Sequence, residues 1–426
     1  MGVTVATTRV AANTSTGTQD ITTTDLGGLT PKAVLLIATR GVTDGTAADG
    51  AGFYIGAADG TNEWTQGYED QHAQATINNA EEQDTTANRI LTIYDGTAAD
   101  VVEATASFDS FISDGVRIDW TDAPASAFLV TAIFFAGTDL SVHVGSQTLG
   151  NTADALIAVT SVGFEADVLI TTLLEGTTVL NANVGLGLVH NNRAGTVTQR
   201  SAVHVMRDGF GSAQAGVQYR DGEGIARLIG SSQALDFMGT FQSFDSSGFD
   251  VQLGNTRAPG NTHLGWLALR FGASAVVESK VYTYSTPTGT GSNTDSTPNF
   301  EPQFVMYLAN RAAAADTSET DSDGGTFGVV VADADEVYTQ SFSAEDAALD
   351  SNTQSLSDNA INLPTHTGAA GHVASLTSMG STGPVWNYSS TDGTARLWPA
   401  LAIQVFSSGA TAVKDIIGSG IIPFAR

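Results

Sequence analysis

Cysteine is absent from this chain of 426 residues, which excludes disulfides, thiolate metal sites and a cysteine nucleophile. Basic residues are scarce, since 17 lysines and arginines stand against 45 aspartates and glutamates and leave a formal charge of −28. A chain this acidic offers no positive surface to a phosphate backbone, so we expect no nucleic-acid binding. Apolar runs long enough to span a bilayer are also lacking, as is the apolar core of a signal peptide. We therefore expect a soluble globular protein without membrane insertion.

Charged residues of both signs make up only 15% of the chain, below the roughly 25% of average proteins. Most of that charge is acidic, and lysine occurs only three times. At molar salt the screening length falls to roughly 3 Å, which largely removes the repulsion between acidic side chains. The composition therefore favours a protein of a salt-loving microbe or of its virus. The alternative is an ordinary acidic secreted or surface protein.

Five short patterns recur in the same order three times along the chain, about 135 residues apart. Together they are more specific than any one of them, because short apolar words are common by chance. The patterns are an apolar opening strand (29–36, 164–171, 300–307), glycine before three mainly apolar residues (52–55, 187–190, 328–331), a Thr-Gln pair (65–66, 198–199, 339–340), an apolar-x-Ser-apolar strand (108–111, 241–244, 373–376) and a closing strand (132–135, 268–271, 402–405).

The repeats predict three tandem units at residues 1–139, 140–275 and 276–409, followed by a C-terminal tail at 410–426. Within each unit, short apolar and β-branched runs are bounded by Gly, Ser and Asp turns, which is typical of strands. Some segments, such as 249–253, alternate apolar and polar residues as a half-buried strand does. We predict an all-β protein of three tandem jelly-roll-like β-sandwich domains with about eight strands each.

Motifs for catalysis are missing from the sequence. The seven histidines form no metalloprotease pattern, no G-x-S-x-G elbow is present, and no lysine follows a phosphate-binding glycine loop. Carboxylates are abundant, but no pair of them recurs between the units in the way that a shared glycosidase site would require. We therefore predict that the protein is not an enzyme.

An acidic, glycine-containing stretch of the third unit is a candidate cation site. Its carboxylates are Asp321, Asp323, Asp333 and Asp335, with Gly324 and Gly325 between them. Oxygen-rich turns of this kind suit Ca²⁺ or Mg²⁺, although the spacing lacks the distal Glu of an EF-hand loop. The alternative is a solvated acidic loop that binds no ion.

Four aromatic residues are candidates for contact with a glycan or another receptor. Trp64, Tyr68, Trp386 and Tyr388 have Gly, Asn, Ser or Gln as neighbours, and flat rings beside such polar groups suit stacking on sugars. The alternative is that each ring closes the end of a sandwich core.

The strand patterns carry a resemblance to a class of viral proteins. The opening strands at 29–37 and 300–307, and the strand-turn-strand at 244–251, resemble those of tandem β-sandwich virion surface proteins of tailed viruses. Tail fibres, head fibres and capsid turrets belong to that class. The resemblance, together with the acidic composition, implies a virus of a haloarchaeon, and it carries over no catalytic residue.

The resemblance leads us to predict a structural protein at the virion surface, assembled in the host cytoplasm, that presents loops for host attachment. Its expected partners are further copies of itself, other virion proteins, and a glycan or S-layer glycoprotein of the host envelope. A cellular surface adhesin or carbohydrate-binding protein is the alternative, and a glycan depolymerase is a third possibility. Multivalent display of loops would convert weak contacts into avidity in either binding role.

Overall fold

Antiparallel β-strands make up most of the part of the chain that the structure describes, which confirms the predicted all-β sandwich fold. The computed structural model describes residues 2–70, 79–84, 88–95, 101–150, 152–175, 182–207, 214–229, 234–254, 262–272, 277–318, 325–333, 336–344, 354–365, 367 and 369–405. The predicted tail at 410–426 lies outside these residues. Within them, no helix is long and apolar enough to cross a membrane.

The first sandwich has a large sheet in the order β1-β11-β3-β5-β6-β7 and a small sheet in the order β2-β10-β9-β8. A short 3-10 helix, Thr24–Leu26, follows the second strand. Its strands are β1 (Val3–Ala11), β2 (Gly17–Thr22), β3 (Pro31–Thr39), β5 (Ala51–Ala58), β6 (Glu63–Asp70), β7 (Asn79–Asp84), β8 (Leu91–Tyr94), β9 (Val102–Ile112), β10 (Gly115–Asp122) and β11 (Leu129–Gly137). A two-residue strand between β3 and β5, β4 (Ala48–Asp49), belongs to neither of these sheets.

The second sandwich repeats this plan, with a large sheet β12-β21-β14-β15-β16-β17 and a small sheet β13-β20-β19-β18. Its strands are β12 (Leu140–Thr148), β13 (Leu156–Val159), β14 (Val168–Glu175), β15 (Ala182–Asn191), β16 (Val197–Arg207), β17 (Gln214–Asp221), β18 (Ile225–Ile229), β19 (Ala234–Phe244), β20 (Phe249–Leu253) and β21 (Thr262–Phe271).

The third sandwich has a large sheet β22-β31-β24-β25-β26-β27-β4 and a small sheet β23-β30-β29-β28. The seventh strand of its large sheet, β4, is borrowed from the first part of the chain. Its own strands are β22 (Val277–Ser285), β23 (Gly291–Thr294), β24 (Phe304–Asn310), β25 (Gly325–Asp333), β26 (Val337–Ala344), β27 (Gln354–Asp358), β28 (Ile361–Pro364), β29 (Ala370–Gly380), β30 (Gly383–Ser390) and β31 (Leu397–Val405).

The strand order agrees with a jelly roll at its ends and differs from one in the middle. In each sandwich the first strand pairs with the last, and the second pairs with the next to last, as in a jelly roll. The middle strands are instead joined by hairpins within one sheet, so that β3, β5, β6 and β7 lie side by side. Each sandwich contributes ten strands of its own within the described residues, rather than about eight.

The two kinds of sheet have different sequence patterns because they are buried differently. In β10, of the first small sheet, Val116 and Ile118 point inward while Arg117 is partly exposed, which is the alternation of a sheet with one wet face. In β3, of the first large sheet, all nine residues except Lys32 are buried. Leu35 contributes to one apolar cluster and Leu36 to another, so this sheet is covered on both faces.

The second face of each large sheet packs against the other two large sheets. One apolar cluster runs through all three sandwiches and includes Leu35, Leu188 and Met306. The contacts form a closed cycle: β6 contacts β12 and β15, β16 contacts β22 and β25, and β26 contacts β3 and β5. One polypeptide thus forms three sandwiches around a common core with approximate threefold symmetry. The three sandwiches therefore pack side by side around this core.

Three rings, one from each large sheet, meet in this common core. The ring centroids of Tyr68 and His204 lie 5.5 Å apart, and the ring of Phe342 lies 4.8 Å from each of them. We call these residues the central ring cluster. All three side chains are fully buried. Burial lowers the pKa of His204 to about 3, and neither of its ring nitrogens has a hydrogen-bond partner among the described residues.

The central ring cluster also corrects one of the sequence repeats. Counting back two residues from each ring gives Gln66, Ala202 and Gln340, so the true counterpart in the second sandwich is Ala202 and not Gln199. Gln66 donates to the Leu173 carbonyl oxygen of the second sandwich at 3.0 Å. Gln340 reaches the first sandwich in the same way, whereas Gln199 bonds to Phe241 within its own sandwich.

Because the central ring cluster joins all three large sheets, we predict that the three sandwiches unfold together. Truncation by Phe342→Ala leaves a cavity in the shared core and should cost about 3–5 kcal/mol of unfolding free energy. Calorimetry or denaturant titration should show one transition, shifted as a whole. Leu156→Ala, at an exposed position, is the control and should leave the transition in place. Separate transitions, of which only one responds to Phe342→Ala, would contradict a shared core.

His204 predicts a loss of stability in acid. Its pKa is about 3 in the folded chain and about 6.5 when unfolded, so the unfolded chain binds the proton more readily below pH 6.5. Stability should therefore fall as the pH drops from about 6.5 towards 3, and His204→Phe should reduce this fall. Unfolding midpoints measured across that pH range provide the test. His263→Phe, at a more exposed position, should flatten the profile less; equal effects of both substitutions would refute the prediction.

Candidate functional site

The four aromatic residues that the sequence proposed for glycan contact lie inside the protein. Trp64, Tyr68, Trp386 and Tyr388 are 1%, 0%, 0% and 2% exposed. Trp64 and Tyr68 belong to the shared core, and the Trp64 indole donates to the Trp266 carbonyl oxygen at 3.1 Å. Trp386 and Tyr388 belong to the core of the third sandwich. The prediction of surface stacking on a glycan is therefore wrong for all four, because none of their faces reaches solvent.

The predicted cation site is described only in part. Asp321, Asp323 and Asp335 lie outside the described residues, so their share of that prediction stays untested. Asp333 is buried, and its carboxylate accepts hydrogen bonds from the Thr7 amide at 3.1 Å and the Thr7 hydroxyl at 2.7 Å. Asp25 and Glu336 bring carboxylate oxygens within 4.8 Å of that of Asp333. This trio could hold a Ca²⁺ or Mg²⁺ ion by its donor chemistry.

Asp333 belongs to one of three equivalent hairpins that join the sandwiches. These junction hairpins connect β5 to β6, β15 to β16, and β25 to β26. Their described residues lie beside β12, β22 and β1, the first strands of the next sandwiches. In the first, Asp59 accepts a hydrogen bond from the Val144 amide at 2.8 Å. In the third, Asp333 makes the matching bond to Thr7, 326 residues away. Asn192, the counterpart in the second hairpin, accepts from Ala194 and Thr196 of its own turn.

The junction between the first and second sandwiches opens into a groove of about 670 Å³. One wall comes from the hairpin residues Asn62 and Glu63 together with Phe108 and Asp109 of β9. The opposite wall comes from β12, including His143. We call this cleft the first groove. It mixes a partly buried ring with amide, carboxylate and imidazole groups, and the described residues that line it include no lysine or arginine.

The junction between the second and third sandwiches forms a second groove of about 490 Å³ with a different charge pattern. Arg193 forms an ion pair with Asp167, and that carboxylate also accepts from the Phe271 amide at 2.6 Å. Lys280 lines the same groove. Burial lowers the pKa of His190 there, although the nearby Asp167 opposes the shift. Positive groups are therefore present in the second groove, in contrast to the first.

Two acids with raised pKa values, Glu69 and Asp295, lie away from the grooves and are buried in the described part of the chain. Burial raises the pKa of Glu69 to about 9, a perturbation that often marks a catalytic acid. The side chain is 0% exposed, however, so it has no access to a substrate. The pKa of Asp295 is also raised by burial, and this carboxylate accepts hydrogen bonds from Tyr282 and Tyr307 inside the third sandwich. Both acids belong to sandwich interiors.

Comparison with known proteins adds no functional assignment. No family model, curated protein or solved structure matches the chain. Sequence reasoning missed the junction hairpins, although a signal was present. An acidic or amide residue stands at the end of the glycine-containing strand in each unit or directly after it, at Asp59, Asn192 and Asp333. These residues act across sandwich boundaries, which repeat analysis of separate units does not reveal.

We predict that the hydrogen bonds from Thr7 to the Asp333 carboxylate stabilise the contact between the first and third sandwiches. Asp333→Ala removes the acceptor of two buried hydrogen bonds from Thr7 and should cost about 1.5–3 kcal/mol of unfolding free energy. Denaturant unfolding measures the loss. Asp122→Ala, which removes an exposed carboxylate of β10, should change stability by less than about 0.5 kcal/mol. Equal losses of unfolding free energy for the two substitutions would show that the Asp333 hydrogen bonds do not stabilise this junction.

Proposed function

We propose that this protein is a non-enzymatic structural protein at the surface of a virion, of the tail-fibre, head-fibre or turret kind, and that it attaches the particle to its host. The observation that carries the proposal is the closure of three sandwiches around one core within a single chain. Such a body is rigid, because every large sheet is fixed on both faces. It presents three junctions that have the same backbone plan and different side chains, which suits attachment rather than turnover.

The acidic composition supports a haloarchaeal host as part of the same proposal. A formal charge of −28 on 426 residues would be largely screened at molar salt, and it would repel at low salt. The proposed partners are further copies of the chain, other virion proteins, and a glycan or S-layer glycoprotein of the host envelope. Many weak contacts from a multivalent particle would then give firm attachment.

A cellular surface adhesin or carbohydrate-binding protein is the second candidate. The first groove favours it as much as it favours a viral attachment protein, since a polar cleft with one ring suits a carbohydrate in either setting. A glycan depolymerase remains third, because it needs two facing carboxylates in an open cleft. Release of reducing sugar from host envelopes would favour it over both binding roles.

The first experiment measures mass and cell attachment together. Mass photometry of the purified chain should show a defined homo-oligomer at molar salt that dissociates at low salt. Fluorescently labelled protein should bind intact haloarchaeal cells and lose that binding once the S-layer is stripped. Asp122→Ala, a surface substitution away from the junctions, serves as the control for both measurements. A monomer that is indifferent to salt and ignores the cells would refute the proposal.

A further inference from the structure

The first groove combines features that point to one kind of ligand. It lies where two sandwiches meet, which is a common location for binding sites, and its volume of about 670 Å³ is within the range of small-molecule pockets. One wall belongs to the first sandwich and the other to the second. Because the two sandwiches share a core, these walls are held at a fixed distance. The groove is therefore preformed.

An aromatic platform lies on the first wall. The rings of Phe108 and Phe111 meet edge to face with centroids 4.8 Å apart, and Phe108 lines the groove. Gly60 of the junction hairpin has a positive φ of 86°, and a Cβ there would lie 3.4 Å from the Phe111 ring. The hairpin therefore packs closely behind the pair. Phe108 is held in place while remaining only partly buried.

Polar groups next to this ring are held by their own hydrogen bonds. The side-chain amide of Asn62 donates to Asp59 at 3.3 Å, and a carboxylate oxygen of Glu63 accepts from the Phe108 amide at 2.9 Å. The second bond ties the hairpin directly to the strand that carries the ring. Asp109 is exposed at the adjacent position of β9. These contacts fix the Asn62 amide and the Glu63 carboxylate in the groove wall that carries the ring.

A histidine on the opposite wall adds an oriented donor. His143 stacks on Trp266 with an interplanar angle of 14°, and its Nδ1 accepts from the Trp266 indole at 3.4 Å. Burial lowers the pKa of His143, so the ring is neutral at neutral pH. A neutral imidazole that accepts at Nδ1 carries its proton at Nε2. The ring therefore keeps one N–H group to donate.

The charge of the first groove selects against anions. The described residues that line it include the carboxylates of Glu63 and Asp109 and no lysine or arginine. The second groove, built on the same plan, has Arg193 and Lys280 instead. A phosphate, sulfate or uronic acid would be repelled by the first groove, whereas hydroxyl groups match its acceptors and donors. A flat apolar ring surrounded by such groups suits the face and edge of a pyranose.

We propose that the first groove is a binding site for a neutral saccharide, which stacks on Phe108 and hydrogen-bonds to Asn62, Asp109 and His143. This assignment rests on the proposed attachment function only for the source of the sugar, a neutral glycan of the host envelope. The ligand class itself follows from the ring, the polar groups and the absence of positive charge in the described lining.

Saturation-transfer NMR and calorimetry at molar salt test the site with defined probes. The panel contains neutral trisaccharides of glucose, mannose, galactose and N-acetylglucosamine, with oligogalacturonate as the acidic comparison. At least one neutral probe should bind the full chain, and oligogalacturonate should not. Phe108→Ala and Asn62→Ala should each weaken that binding at least tenfold. Phe244→Ala, a partly buried phenylalanine of the second sandwich outside the groove, is the matched control and should bind normally.

Each other outcome has a definite meaning. Absence of binding by every neutral probe at millimolar concentration, tighter binding of oligogalacturonate, or equal binding by Phe108→Ala and the native chain would each overturn the site. Failure of the site and failure of the attachment function are separable. If Phe108→Ala still attaches to cells like the native chain, the site is wrong and the function stands. If the native chain binds a trisaccharide but ignores cells, the site stands and the function is wrong.

Discussion

Burial of both faces of the three large sheets is the constraint on which the rest of the structure depends. In an ordinary sandwich each sheet has one dry face and one wet face, but strands such as β3 are apolar on both. A single sandwich would expose the residues around Leu35, Leu188 and Met306 to water. The three must therefore close on one another. The closed cycle also explains why Gln66 and Gln340 satisfy their amides in neighbouring sandwiches.

In the closed cycle, the three junctions between sandwiches have similar backbones but carry different side chains. An acidic or amide residue stands at the start of each junction hairpin: Asp59 and Asp333 accept hydrogen bonds from the next sandwich, whereas Asn192 accepts within its own turn. The side chains around them differ: a ring with amide, carboxylate and imidazole groups lines the first junction, and cations line the second. At the third, Asp25 and Glu336 place further carboxylates beside Asp333. A homotrimer would present three identical junctions, whereas one chain can specialise each.

The fold could largely be predicted from the sequence, and the sites could not. Repeats and apolar runs are local patterns, so the strands and the sandwich class followed from them. Burial of Trp64 was hidden because Thr and Gln neighbours resemble a surface loop; Gln66 is in fact buried with its amide paired across a junction. Asn62 and His143 line the first groove from different sandwiches, and the sequence of neither segment indicates that the two lie close together. The Thr-Gln pair at Gln199 was misaligned for the same reason: the contacts across junctions that define the equivalent position, Ala202, are not visible in the sequence.

The position of β4 in the large sheet of the third sandwich has a consequence for how the chain folds. Ala48 and Asp49 pair with β27, more than 300 residues later, and Ser355 then accepts from the Gly52 amide at 2.8 Å. The segment between β3 and β5 therefore cannot complete its pairing until the last third of the polypeptide has been made. Contacts so distant in sequence make folding slow and leave apolar sheet faces uncovered during synthesis. A ribosome-bound nascent chain would therefore need protection from aggregation until its final strands emerge.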